Sequence, residues 1–259
     1  MSSKRQEMKS EISSTLKRAK IILWAFPLAC VFFTLFCCHL SFAVEASSFA
    51  GGEFDGHGQG FSYLGVDVSQ KVYQNISLSG RLIPNYLTYK FYSGGHLVRA
   101  DSPGFYSVGG IKLSWDKTKL GVFGGIEYRD TDLTPDVRGA KVRGSTLAGV
   151  VQGEFDSWLP SRTNLNLYTS FSGTDNFFYE RGRIKQQVTN LDFKGPYTIN
   201  AGVEQIIGRN PDFHQEGAGL ILELYHIRQK VSVAVRGGFK HDSTFGNGIY
   251  GGLELYKGF

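Results

Sequence analysis

From Ser47 onward, apolar residues return at every second position, and no stretch shows the three-to-four spacing of a helix of useful length. Leu64, Val66 and Val68 alternate with Tyr63, Gly65, Asp67 and Ser69. Leu120, Val122, Gly124, Ile126 and Tyr128 share one parity, while the other ends in Glu127 and Arg129. Leu147, Gly149, Val151, Gly153 and Phe155 oppose Thr146, Ala148, Val150, Gln152 and Glu154. Val231, Val233, Val235, Gly237 and Phe239 oppose Ser232, Ala234, Arg236 and Lys240. Successive side chains of a strand point to opposite sides of a sheet, so this pattern predicts strands with one apolar and one polar face.

A pass along the chain predicts twelve strands, near 48–55, 61–70, 76–91, 105–115, 120–130, 145–156, 163–173, 177–185, 197–207, 216–228, 231–240 and 248–259. Asp116-Lys117-Thr118-Lys119 and Gln229-Lys230 read as tight turns, and the Gly/Asp/Pro-rich stretches 93–104 and 131–144 as longer loops. Charges on both parities of 177–185, and the length of the link 186–196, leave ten or fourteen strands open.

Strands of about ten to twelve residues match the roughly 9–11 needed to cross hydrocarbon at a tilt, whereas soluble strands run to about 5–6. The polar parity suits a wet lumen and would be costly in a dry soluble core. Lys and Arg are absent from the apolar parity of 120–128 and 231–239, where each would cost roughly 2–4 kcal/mol at mid-depth in lipid. Aromatics gather where an interfacial girdle would place them: Tyr86, Tyr89, Phe91 and Tyr92, then Trp115, then Phe177, Phe178 and Tyr179. Phe259, with Ile249, Leu253 and Leu255 on its parity, has the form of a barrel-assembly signal. The expected fold is therefore all-β, a transmembrane antiparallel up-and-down β-barrel over 47–259. That points to the bacterial outer membrane, with its lipid and the barrel-assembly machinery as partners.

The first 46 residues differ. Lys4, Arg5, Lys9, Lys17, Arg18 and Lys20 precede an apolar run from Ile21 to Leu40, and Val44-Glu45-Ala46 places small residues at −3 and −1 of a cut after Ala46. That order predicts a secretory signal peptide over 1–46. An uncleaved inner-membrane anchor is the alternative, since about 20 apolar residues can span a bilayer; Pro27 and the cleavage pattern argue against it. All three cysteines lie within this segment and all 33 glycines beyond it. Its removal takes the formal charge from +5 to +2, so the basic balance gives no reason to expect a nucleic-acid partner.

Several stretches resemble the BcsS-type cellulose biosynthesis proteins, small outer-membrane-type proteins found with bacterial cellulose synthase genes. They are Phe49-Ala50-Gly51-Gly52-Glu53-Phe54-Asp55 followed by Phe61-Ser62-Tyr63-Leu64-Gly65-Val66, Tyr86 to Tyr92, and Asp130-Thr131-Asp132-Leu133-Thr134-Pro135. Gly149 to Phe155 with Ser157-Trp158-Leu159-Pro160, Gly202-Val203-Glu204 with Gly208-Arg209-Asn210, and Gly248-Ile249-Tyr250-Gly251-Gly252-Leu253 continue the likeness. The resemblance implies a non-enzymatic accessory role in making or exporting a β-glucan, with cellulose synthase export components or the polysaccharide itself as partners.

Catalytic and cofactor patterns are sparse. Gly56-His57-Gly58-Gln59-Gly60 joins two strands and opens no helix, so it reads as a hairpin loop and not a phosphate cradle. His57, His96, His214, His226 and His241 lack ligand-type spacing, and no cofactor is expected. A lipid-modifying enzyme would need a Ser–His pair, and His226 with Ser232 is the one pair a hairpin brings close; their parities put His226 toward lipid and Ser232 toward the lumen. A more substantial set is a lumen charge network of Asp67, Arg81, Lys112, Glu127, Arg129, Glu154, Glu204, Glu223, Arg236 and Glu254. Opposite charges on neighbouring strands either brace the barrel or line a small-solute diffusion channel.

Overall fold

The computed structural model describes residues 44–137, 140, 142–192, 195–211 and 213–259. The expected signal segment up to Ala43 lies outside them. Twelve strands form one closed sheet: β1 (Val44–Asp55), β2 (Gly60–Tyr73), β3 (Ile76–Ser93), β4 (His96–Trp115), β5 (Thr118–Thr134), β6 (Gly144–Trp158), β7 (Thr163–Ser172), β8 (Phe177–Asp192), β9 (Pro196–Arg209), β10 (His214–His226), β11 (Val231–Asp242) and β12 (Gly246–Gly258). Each strand pairs antiparallel with its neighbour in sequence, and β1 closes the circle on β12 through pairs such as Phe49↔Tyr256 and Gly51↔Glu254. Closure leaves no strand of the sheet at a free edge, the condition for a sheet to sit in hydrocarbon. Among the described residues, no helix is long and apolar enough to cross a membrane.

The two parities separate as the alternation requires. Leu64, Val122, Ile126, Leu147, Val151, Leu220, Val235, Phe239 and Ile249 are exposed on the outer surface. Phe123, Glu127, Gln152 and Glu204, on the opposite parity, are 1–3% exposed. Val108, Phe123 and Val150 form an apolar knot inside the barrel, with Tyr106 packed against it.

Three details depart from the pattern-based expectation. Residues 93–104 are not a loop: Gly94 and Gly95, at φ +57° and +79°, make a two-residue turn, and β3 and β4 pair from Ser93↔His96 through Ile76↔Leu113. Both φ values lie in the left-handed region that glycine enters freely, the condition for the tight hairpin turn whose twist matches its strands. Residues 186–192 belong to β8, which runs on past a register shift between Gln187 and Thr189, so the long link of the sequence reading shrinks to 193–195. Of the expected girdle, Tyr86, Tyr92 and Trp115 are exposed, but Tyr179 turns inward, its ring 6.2 Å from that of Tyr168.

The end at which β1 starts and β12 finishes carries links of two to four residues, whereas the nine-residue link 135–143 lies at the other end. Short turns face the periplasm and longer loops the exterior in barrels of this class, which orients the molecule. Val44, Glu45 and Ala46 stand at the periplasmic start of β1, paired with Gln70, Ser69 and Val68. Ala46 also accepts a hydrogen bond from the Phe259 N–H at 2.9 Å.

Close strand approach depends on particular glycines. A Cβ added at Gly125 would overlap the Ser107 carbonyl oxygen and come within 2.7 Å of the Val108 Cα, whereas one at Gly124 would meet nothing within 4 Å. Gly125→Ala is accordingly expected to lower stability by about 1–3 kcal/mol, the usual range for overpacking against atoms that cannot swing aside. Gly124→Ala is the neutral control, and denaturant titration of the refolded barrel in detergent reads both.

Candidate functional site: a plugged lumen with a covered outer mouth

Among the described residues, the interior holds three clusters of ionised side chains, each balanced in charge. The first joins β2, β3, β4 and β6. Arg81 donates through Nε to Asp67 and through Nη2 to both oxygens of Glu154 at 2.7 Å, while Lys112 reaches Asp67 at 2.7 Å. The Arg81 guanidinium lies 3.8 Å above the centre of the Phe123 ring, a contact that favours a cation in a desolvated setting.

The second cluster is the largest. Glu254 of β12 accepts from Arg181 at 2.8 Å and from both terminal nitrogens of Arg183 at 2.7 and 2.8 Å. Both arginines lie on β8, four strands away in a barrel of twelve, so these bonds cross the interior as chords. Glu204 of β9 accepts from Arg183, Arg236 and the Tyr250 hydroxyl at 3.0, 3.1 and 2.9 Å. Arg236 continues to Glu53 at 2.9 Å, Lys240 pairs with Asp55 at 2.8 Å, and Lys185 with Glu223 at 2.6 Å. Five acidic side chains (Glu53, Asp55, Glu204, Glu223, Glu254) thus meet five basic ones (Arg181, Arg183, Lys185, Arg236, Lys240). In the third cluster Glu127 accepts from Arg129 at 2.5 Å and from Ser172, and Arg129 also donates to Asn85 and the Tyr106 hydroxyl at 3.3 Å.

All ten residues singled out in the sequence therefore lie inside the wall and bear on one of these clusters. Sequence reasoning missed Glu53, Asp55, Arg181, Arg183, Lys185 and Lys240 as members. A signal for three of them was present: Arg181, Arg183 and Lys185 share a parity, obscured by Glu180 on the other.

The outer mouth is covered by the long β3–β4 hairpin. Val98, Ala100 and Ser102 on it are 0% exposed. The Tyr92 ring lies 6.5 Å from Phe245 in the β11–β12 turn, and His57 of the β1–β2 turn stacks on the same Phe245 at 5.0 Å. Lys90 donates to the His57 carbonyl at 2.7 Å, its N–H donates to Gln59, and Gln59 donates to Asp242 at 3.2 Å.

Asp55, His57 and Asp242 bring potential ligand atoms within 4.8 Å of one another. Asp55 is engaged by Lys240 and by the N–H groups of His57 and Gln59 at 2.9 and 2.8 Å. Asp242 accepts from the N–H groups of Thr244 and Phe245 at 2.8 and 2.7 Å. The two carboxylates are thus tied into the rim, while the buried His57 Nδ1, 3.9 Å from Asp242, has no hydrogen-bond partner. Ser232 donates to Glu223 at 2.6 Å, while His226 packs edge-on against Tyr197 at 4.4 Å. The two point to opposite sides of the wall and form no nucleophile–base pair. Ile249, Leu253 and Leu255 are exposed on the outer face of β12, and Phe259, the residue after it, is exposed as well.

Solved structures with a similar course include the β domain of the Bordetella autotransporter BrkA, at 9% identity and a TM-score of 0.44, covering 83% of this chain and 97% of that one. The COG4313 outer membrane channel from Pseudomonas putida F1 follows at 7% identity and 0.44, covering 84% and 96%. The translocator domain of autotransporter NalP from Neisseria meningitidis stands at 14% identity and 0.42, covering 94% and 97%. Among curated proteins, none matches. The family described as "Cellulose biosynthesis protein BcsS" matches residues 46–259, all of the barrel but the first two residues of β1. This chain belongs to the BcsS family of cellulose biosynthesis proteins, and its barrel resides in the bacterial outer membrane.

Proposed function

We propose that this barrel is a non-enzymatic accessory protein of cellulose or related exopolysaccharide biosynthesis, acting as an outer-membrane scaffold and not as a diffusion channel. The observation that carries the reading is the balanced, bonded state of the interior. A conducting lumen needs water-filled space and leaves charges free to act on passing ions. Here chords such as Arg181–Glu254 and Arg81–Glu154 cross that space, and the mouth lies under the β3–β4 hairpin. A filled barrel offers its surfaces and its ends for assembly with other components, and the partners that suit this role are the cellulose synthase export components or the polysaccharide. Insertion through the barrel-assembly machinery, guided by Ile249, Leu253, Leu255 and Phe259, and removal of the signal peptide after Ala46 belong to the same proposal. Cleavage there leaves β1 starting at Ser47, its remaining pairs with β2 and β12 intact.

Deletion of the gene is expected to reduce or alter surface cellulose while leaving lipid A and phospholipids unchanged by mass spectrometry. In planar bilayers the purified barrel is expected to give no steady conductance. A steady current that shifts when Arg81, Lys112 or Arg236 is neutralised would sink the scaffold reading in favour of the channel.

A further inference from the structure

With the exterior mouth covered and the middle of the lumen bonded across, a cavity of about 220 Å³ lies at the periplasmic end. Its position follows from its lining: Ser232 is the second residue of β11, Tyr256 the third from the end of β12, and Glu223 the fourth from the end of β10. Glu254 with Arg181 and Arg183 forms its roof. One wall is aromatic: Phe49, Tyr63 and Tyr256 come from the adjacent strands β1, β2 and β12, and the Phe49 and Tyr63 rings lie 6.1 Å apart. The facing wall carries Lys185, Glu223 and Ser232, already bonded to one another through Glu223 at 2.6 Å.

We propose that this vestibule binds a single pyranose ring of a neutral oligosaccharide presented from the periplasm, such as the end of a β-glucan chain. Three features narrow the ligand to that class. The charges at the walls are paired, Lys185 with Glu223, Arg181 with Glu254, and Arg183 with Glu254 and with Glu204 behind it, so a charged ligand would have to break pairs to gain one. An aromatic wall favours a flat face of C–H bonds, while the opposite wall sets the Lys185 donor, the Glu223 acceptor and the Ser232 hydroxyl beside Ile221 and Ala234, a mixture that hydroxyl groups match because each both donates and accepts. The cavity is smaller than the roughly 300–1,000 Å³ of sites for drug-sized ligands, which limits the occupant to about one ring, with the rest of a chain leaving through the open end. The proposal deepens the cellulose-related reading above and rests on it for the identity of the sugar.

The test uses the whole purified barrel in a detergent without a sugar headgroup, titrated calorimetrically with cellotetraose and, separately, with an oligogalacturonate as the anionic counterpart. Saturable binding of cellotetraose is expected. It should weaken about tenfold in Tyr256→Ala, which loses the aromatic contact, and be largely retained in Tyr256→Phe. Tyr256 is 43% exposed, so its truncation is compatible with folding, and heat-modifiability on gels verifies each variant. Absence of saturable cellotetraose binding, binding of the oligogalacturonate alone, or equal binding by Tyr256→Ala overturns the proposal. The two readings fail separately. A deletion strain with altered cellulose alongside a barrel that binds no glucan removes the vestibule and keeps the accessory role, whereas unchanged cellulose on deletion removes the accessory role itself.

Discussion

Glu254→Ala is expected to lower the folding free energy of the barrel by about 3–5 kcal/mol, the loss seen when one partner of a buried ion pair is removed and the other is left uncompensated. The carboxylate sits among three guanidinium groups, with Arg181 at 2.8 Å, Arg183 at 2.7 Å and Arg236 at 3.3 Å. All four side chains are at most 16% exposed, so water cannot replace what the substitution removes. Without Glu254 the three cations face one another, with Glu204 and Glu53 as the acids left on Arg183 and Arg236. Glu254→Gln keeps the shape and most of the hydrogen-bonding capacity but not the charge, and is expected to fall between wild type and Glu254→Ala. Urea titration of barrels refolded into lipid vesicles measures all three. A loss under about 1 kcal/mol for Glu254→Ala, typical of exposed pairs, would mean that the interior is wetter than the bonded chords imply. The same variant opens the roof of the periplasmic cavity, so intermittent conductance in planar bilayers should accompany the lost stability.

Leu220→Arg separates a lipid-facing wall from a solvated one. Leu220 is the seventh residue of the thirteen in β10 and is 69% exposed on the outer surface. In a water-soluble protein so exposed a site tolerates substitution within about 0.5 kcal/mol. At mid-depth in a bilayer, the same arginine costs roughly 2–4 kcal/mol. The companion Phe54→Arg, at the outer end of β1 and 56% exposed, should cost about 0–1 kcal/mol because the penalty fades toward the interface. A flat response across the two positions, read by the same vesicle refolding assay, would remove the bilayer from around this wall.

Where the sequence could be read, one physical rule made it so. A side-chain period of two is a property of the extended backbone itself, and it holds whatever lies opposite. Leu120, Val122 and Ile126 could be placed on one surface and Glu127 and Arg129 on the other without knowing any contact. The same rule was diluted where parities mix, as around Glu180 and Arg181, and it was overridden at Gly94-Gly95. There, local Gly and Pro content reads as a loop although the flanking residues pair across eighteen positions of β3. The missing N–H of Pro103 interrupts β4–β5 pairing beside Ser102, between Asp101↔Asp132 and Gly104↔Arg129, which deepened that impression.

By itself, the order of residues determined the alternation and, where one parity is cleanly apolar, the side of the wall on which a charge lies, because both are set by neighbours one or two positions apart. Only the tertiary structure decided which charges meet. Arg181 and Glu254 are 73 residues apart in the chain, as are Arg81 and Glu154. Their meeting depends on strand number, register and closure together, quantities that no local period contains. The covered mouth and the periplasmic vestibule follow from the same closure, since a hairpin can lean over a rim, and an aromatic wall can face a polar one, only after the sheet has joined its own edge.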